Sequence, residues 1–90
     1  MSVEVRIPTI LRTFTGGAKA VHGNGATLQQ VLDDIEARNP GLKDRIVEAR
    51  TLRRFVNIYV NDEDVRFSGG LNAPIMDGDV VVVLPAVAGG

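Results

Sequence analysis

The residues best suited to chemistry close the sequence: Pro85-Ala86-Val87-Ala88-Gly89-Gly90. They follow a run of strand formers, Val80 to Leu84, so the segment is expected to leave a firmly held strand. Pro85 brings no N–H and disfavours continuing a ladder. Ala86, Val87 and Ala88 are slim, and Gly89 and Gly90 lack even a Cβ, so the strip can thread a narrow channel in conformations closed to other residues. Six extended residues reach roughly 20 Å. Closing glycines alone are weak support, since average glycine usage gives such a pair about 0.5% of the time. A frayed end is the plain alternative. The sharper reading concerns the α-carboxyl, which is ionised at neutral pH and is a poor electrophile. Joined to AMP it gains a good leaving group. A sulfur donor can then convert the acyl-adenylate to a thiocarboxylate, a soft nucleophile available without cysteine. No nucleotide site is legible in the chain. ATP and the sulfur donor are therefore expected on a partner enzyme, with no cofactor bound by this chain and no catalysis by it.

Other constellations carry less. His22 is the sole histidine, and cysteine is absent. That excludes histidine clusters, thiolate metal sites, disulfides and thiol nucleophiles, and His22 reads as an ordinary solvent-side residue. Asp62, Glu63 and Asp64 read as a turn with surface acids, because calcium loops space their ligands more widely. Asp33, Asp34 and Glu36 read as the wet face of a helix. Gly16-Gly17 and Gly69-Gly70 lack phosphate-loop spacing. No metal site is expected.

Ninety residues with 44% apolar and 23% charged content fit one small globular domain. Ten basic and eleven acidic side chains give a net charge of −1, with no general attraction to nucleic acid or anionic membranes. Lys43, Arg45, Arg50, Arg53 and Arg54 cluster locally and read as a solvated face with Asp44 and Glu48. No apolar stretch approaches the ~18 residues a membrane span needs. The opening residues lack the pattern of a signal peptide, so a cytoplasmic location is expected.

The elements that must position the tail follow from periodicity. Val3, Val5 and Ile7 alternate with Glu4 and Arg6 as a half-buried strand. Ile10 to Phe14 extends or turns it, and Thr15-Gly16-Gly17 is a turn. Ala18 to His22 is expected to pair back as a hairpin, with Gly23-Asn24-Gly25 as loop. Thr27 and Gln30 suit a capping box, and Leu28, Val31, Leu32 and Ile35 form one apolar helical stripe. Asn39-Pro40-Gly41 stops that helix. A short helical turn is expected within residues 42–51, with Leu42, Ile46 and Val47 facing inward. Val56, Ile58 and Val60 mark the next strand. Asn61 to Asp64 is a turn, Val65 to Phe67 a short return strand, and Asp77-Gly78-Asp79 a tight turn. Val80 to Leu84 is apolar on both faces and suits a central strand. Leu32 and Val82 are both expected in the core. The order implies α+β architecture: a ubiquitin-like β-grasp, with one main helix packed on one face of a mixed sheet. The domain is expected over residues 1–84, with 85–90 as a flexible tail. A ferredoxin-like fold is the rival, but it needs a second substantial helix.

Read together, these residues resemble a known family. The ending Leu84 to Gly90, "LPAVAGG", resembles the Pro-x-Val-x-Gly-Gly close of the ThiS/MoaD sulfur-carrier family, which has the β-grasp fold. "FVNIYVNDEDVRFSGGL", Phe55 to Leu71, with "RIPTILR", Arg6 to Arg12, resembles its CysO branch. The resemblance implies that Gly90 is adenylated and then thiocarboxylated. It implies that Gly89 allows entry and that Pro85, Ala86, Val87 and Ala88 lie in a partner's channel. It implies a zinc-containing, E1-like activating enzyme using ATP, often with a rhodanese-type donor. The implied acceptor is a cysteine synthase, with a metalloprotease freeing the product. A molybdopterin synthase, a thiazole synthase or a thiazole-synthase-like enzyme of thiosugar formation could draw on the same tail. Phe55, Tyr59, Phe67 and Leu84 are the implied docking surface, although core packing would explain the aromatic residues as well. A protein modifier joined through Gly90 to target lysines is the alternative function.

Overall fold

The computed structural model describes residues 2–54 and 56–85. Strands β1 (Ser2–Arg6) and β2 (Ala20–Asn24) form an antiparallel hairpin, followed by helix α1 (Leu28–Arg38). A small second hairpin pairs β3 (Val47–Glu48) with β4 (Thr51–Leu52). Strands β5 (Val56–Val60), β6 (Glu63–Asp64) and β7 (Val80–Pro85) complete a mixed sheet of order β2-β1-β7-β5-β6. One helix lies across one face of this sheet, which is the β-grasp arrangement. No second substantial helix is present among the described residues, so the ferredoxin-like rival does not apply.

The helix forms where the apolar stripe predicts. Leu28, Val31, Leu32 and Ile35 are all fully buried, and they meet Val3, Val5, Ile58, Val81 and Val83 from the sheet in one core. Thr27 accepts the Gln30 amide at 3.3 Å, while the Gln30 side chain reaches back to the Ala26 amide at 2.8 Å. The cap is thus reciprocal, with its return arm one residue earlier than the box pattern expects. Asn39 closes the helix by returning its amide to the Ile35 carbonyl at 2.9 Å.

Several local expectations are corrected. Thr9–Thr15 is a 3-10 helix rather than a strand extension, ended by Gly16 at φ +64°. Gly23 and Asn24 belong to β2 rather than to a loop. In residues 42–51 the expected helical turn shrinks to 3-10 residues Lys43–Arg45, and the rest enters the β3–β4 hairpin. Ala49 and Arg50 turn that hairpin with φ of 51° and 66°, values that sequence propensity does not announce for these residues. The return strand after β5 is Glu63–Asp64, and Val65–Phe67 is a 3-10 turn capped by the Asp64 carboxylate on the Arg66 amide at 2.9 Å. Burying Val65 fully accounts for that turn, because it carries the chain back over the core. Val82 is half-buried on the face opposite α1, not in the core; β7 presents Val81 and Val83 to the helix instead.

Gly23 sits directly under α1. A Cβ there would stand 2.8 Å from Ile35 Cγ2 and 3.1 Å from Val31 Cγ1, and both side chains are buried with nowhere to retreat. Gly23→Ala is expected to cost about 1–3 kcal/mol through overpacking. A denaturant midpoint equal to that of the wild type would contradict this packing.

The outer strand β2 pairs only with β1, which leaves backbone groups on its open edge. An ion pair on the helix covers them. The Arg38 guanidinium donates to the His22 carbonyl at 2.7 Å and to Asp34 Oδ2 at 3.0 Å, and the same Asp34 oxygen accepts the Asn24 amide at 2.8 Å. The Arg38 hydrogen bond, then the Asn24 amide, holds the Asp34 carboxyl below its ordinary range. A depressed carboxylate pKa contributes stability above the unfolded value, and that contribution is lost as pH falls through the folded value. Asp34→Asn is therefore expected to lower the urea midpoint at neutral pH. The gap from the wild type should narrow as pH falls through the folded-state value of Asp34, where its carboxylate becomes protonated. A gap that persisted in acid would assign the effect to shape rather than charge.

Candidate functional site

The site is built around the end of β7. This strand is central: β1 runs parallel to it on one side, and β5 antiparallel on the other, with partners from Val56↔Pro85 to Val60↔Val81. Pro85, expected past the strand, is its last residue. The missing proline N–H leaves no Val56 group unpaired: the Val56 carbonyl accepts from Arg66 at 2.6 Å, and the Val56 amide donates to the Arg53 carbonyl at 3.1 Å. Arg66 fixes the neighbouring start of β5. Its guanidinium donates to the Val56 carbonyl at 2.6 Å, the Asn57 side-chain oxygen at 2.8 Å and the Arg53 carbonyl at 3.1 Å. The end of β7 is thus held by β5 up to Pro85 and by β1 up to Val82, with the Arg66 clamp on the facing start of β5.

Two open clefts flank that base. One, of about 940 Å³, lies between the 3-10 helix Thr9–Thr15 and the β3–β4 hairpin. The other, of about 640 Å³, lies toward β1 and Lys19. Val83, Leu84 and Pro85 border both, as do Pro8 and Ile10. On the open sheet face Leu84 lies opposite Asn57, and Val82 lies between Arg6 and Tyr59. Arg6 donates to Glu4 at 2.7 Å, and this bond lowers the Glu4 pKa.

Among the predicted docking residues, Leu84 and Tyr59 share this open face, with Leu84 44% exposed and Tyr59 half-buried. Phe67 lies off the sheet on the 3-10 turn after β6 and is 87% exposed, so core packing does not explain it. Phe55, Ala86, Val87, Ala88, Gly89 and Gly90 lie outside the described residues. The structure adds Ile10, 67% exposed beside Leu84 at the rim of both clefts. Its place inside "RIPTILR" was a usable signal, but the 3-10 winding that turns it outward was not legible. Arg45 and Arg54 join the same rim, with the Arg45 guanidinium 5.4 Å from the centre of the Phe14 ring. The sequence showed them as charged neighbours; only the fold brings them to the end of β7.

Elsewhere the acids serve the framework. Asp79 accepts the Met76 amide and the Asn61 side chain, Asp77 accepts the Ser2 amide, and Lys43 pairs with Asp33. His22 is exposed. Among the described residues no three histidine, aspartate or glutamate side chains gather in a way that could hold a metal. Nor is any helix there long and apolar enough to cross a membrane.

The chain is 58% identical to the sulfur carrier protein CysO of Mycobacterium tuberculosis, over the full length of both. It is 33% identical to small archaeal modifier protein 3 of Haloferax volcanii, again over the whole of each chain. It superposes on a chain in the crystal structure of the Amycolatopsis orientalis BexX/CysO complex with a TM-score of 0.94 and 60% identity, covering 98% of this chain and 99% of that one. Residues 5–90 match the ThiS family, and with full-length identity of this order the chain belongs to that family.

Proposed function

We propose that this chain is a sulfur carrier whose working group is the α-carboxyl of Gly90. An E1-like enzyme joins the carboxylate to AMP from ATP, releasing pyrophosphate. Sulfur from a donor then displaces AMP and leaves a thiocarboxylate. The observation that carries the reading is the end of β7, the central strand, at Pro85 between two open clefts, directly before Ala86 to Gly90 in the sequence. Residues up to Pro85, the last residue of β7, act as the handle, and residues 86–90 are the part that enters the partner's channel. Identity to a relative named as a sulfur carrier supports the role. Likeness to a chain of a BexX/CysO complex supports docking against a partner enzyme. Cysteine synthase is the favoured acceptor, with a metalloprotease releasing the cysteine adduct. A thiazole-synthase-like or molybdopterin synthase enzyme would accept sulfur from the same group, all in the cytoplasm. Leu84, Tyr59 and Phe67, with Phe55, are the proposed contact surface.

The test is reconstitution with an E1-like enzyme, ATP and a sulfide source, followed by cysteine synthase, its activated serine substrate and the releasing metalloprotease. Cysteine formation should require both the carrier and ATP. Formation at the same rate without the carrier would overturn the reading. Identity to an archaeal modifier protein favours a second reading, attachment through Gly90 to lysines of other proteins. Isopeptide-linked adducts in extracts, with no thiocarboxylate, would select it.

A further inference from the structure

The charges of this nearly neutral chain are not spread evenly along β7. The two clefts at its end are lined by Arg6, Arg12, Lys19, Arg45, Arg53 and Arg54, against only two carboxylates, Glu4 and Glu48. Those two are already engaged, Glu4 by Arg6 and Glu48 by Arg53. Lys19, Arg45 and Arg54 are exposed and have no carboxylate partner among the described residues. The other end of β7 is acidic: Asp77 and Asp79 precede it, and Asp62, Glu63 and Asp64 follow the neighbouring end of β5. A chain of net charge −1 thus carries a cationic collar around the point where its tail begins.

We infer that this collar is a docking surface for an acidic rim around the channel of the enzyme that activates Gly90. The inference rests on the sulfur-carrier reading and adds the chemistry of the partner. Two arguments select this occupant. Five residues separate Pro85 from the end of Gly90, a reach of roughly 17 Å when extended. Any enzyme that engages Gly90 must therefore bring its channel mouth against the collar, with little room for intervening solvent. Cations held that close to a protein surface repel a basic mouth and are matched by an acidic one, and such rim charges act mainly on the rate of encounter.

The experiment is ATP–pyrophosphate exchange by an E1-like activating enzyme, with the full-length carrier as varied substrate. Lys19→Glu, Arg45→Glu and Arg54→Glu are combined in one variant, and its melting transition is checked first. The KM for the carrier should rise about tenfold with kcat unchanged. Raising salt from about 0.05 to about 0.5 M should raise the wild-type KM and flatten the difference between the two proteins. Asp62→Lys, at the far end of β7, should leave KM within about twofold, because exposed charges beyond a Debye length are screened. If the triple variant does not fold, Arg54→Glu alone is measured, and a rise in KM that added salt suppresses is still required. An unchanged KM, with wild-type exchange intact, would overturn the inference and spare the sulfur-carrier reading. A lower KM would show that the collar holds the chain's own anionic tail, which also overturns it. Absence of exchange with the wild type would remove both.

Discussion

Gly90→Val is expected to lower kcat/KM for adenylate formation by at least about 100-fold, while the melting transition stays at the wild-type position. The size follows from where the reacting atom sits. A channel shaped for residues without a Cβ meets a branched side chain on the residue that carries the carboxylate, and displacement of a reacting group by about 1 Å costs on the order of 100-fold. Stability is spared because every buried apolar residue among the described residues lies between Val3 and Val83. Substitutions remote from a packed core usually shift stability by no more than about 0.5 kcal/mol. Pyrophosphate exchange and calorimetry on the same sample separate the two effects. Exchange at the wild-type rate would show that activation does not require a residue without a Cβ at position 90. A lost melting transition would show that the tail belongs to the folded body.

The opposite pattern is expected for Leu32→Asp. Leu32 is completely buried in the middle of α1, inside the cluster that joins the helix to β1, β5 and β7. An aspartate there has no polar partner, and an unpaired buried polar or charged group costs roughly 4 kcal/mol or more. A domain of this size has only about 5–15 kcal/mol of total stability. Cooperative melting should vanish or fall far below the wild type, and activation of Gly90 should fall with it in proportion to the folded fraction. Val82→Asp should be milder, because the structure places Val82 on the open sheet face. Equal damage from the two substitutions would contradict that assignment of faces.

The contrast between Leu32 and Val82 shows what a sequence of this kind reveals. The helix was legible in full because its cap, its stripe and its proline stop agree, and all four stripe residues are buried. The central position of β7 was legible because no other segment is apolar at every position. Which of its faces would be covered was not, since alternation disappears in a run of valines. The β3–β4 hairpin was hidden because Ala49 and Arg50 take left-handed angles usually left to glycine or asparagine. The Gly-Gly ending could be read from residue type alone. The surroundings of the tail base could not: Ile10, Lys19, Arg45 and Arg54 come from four separate places in the chain and meet only through the fold. Phe67, named for the docking surface, is exposed because the 3-10 turn buries Val65 and leaves the ring in solvent.

The central claim is that sulfur is carried on the last residue, and fragmentation mass spectrometry of the intact chain tests it most directly. After incubation with an E1-like enzyme, ATP and a sulfide source, one oxygen should be replaced by sulfur, and every fragment that retains Gly90 should carry the change. Sulfur found on fragments lacking Gly90, or no replacement when the enzyme activates a known carrier in the same buffer, would contradict the account.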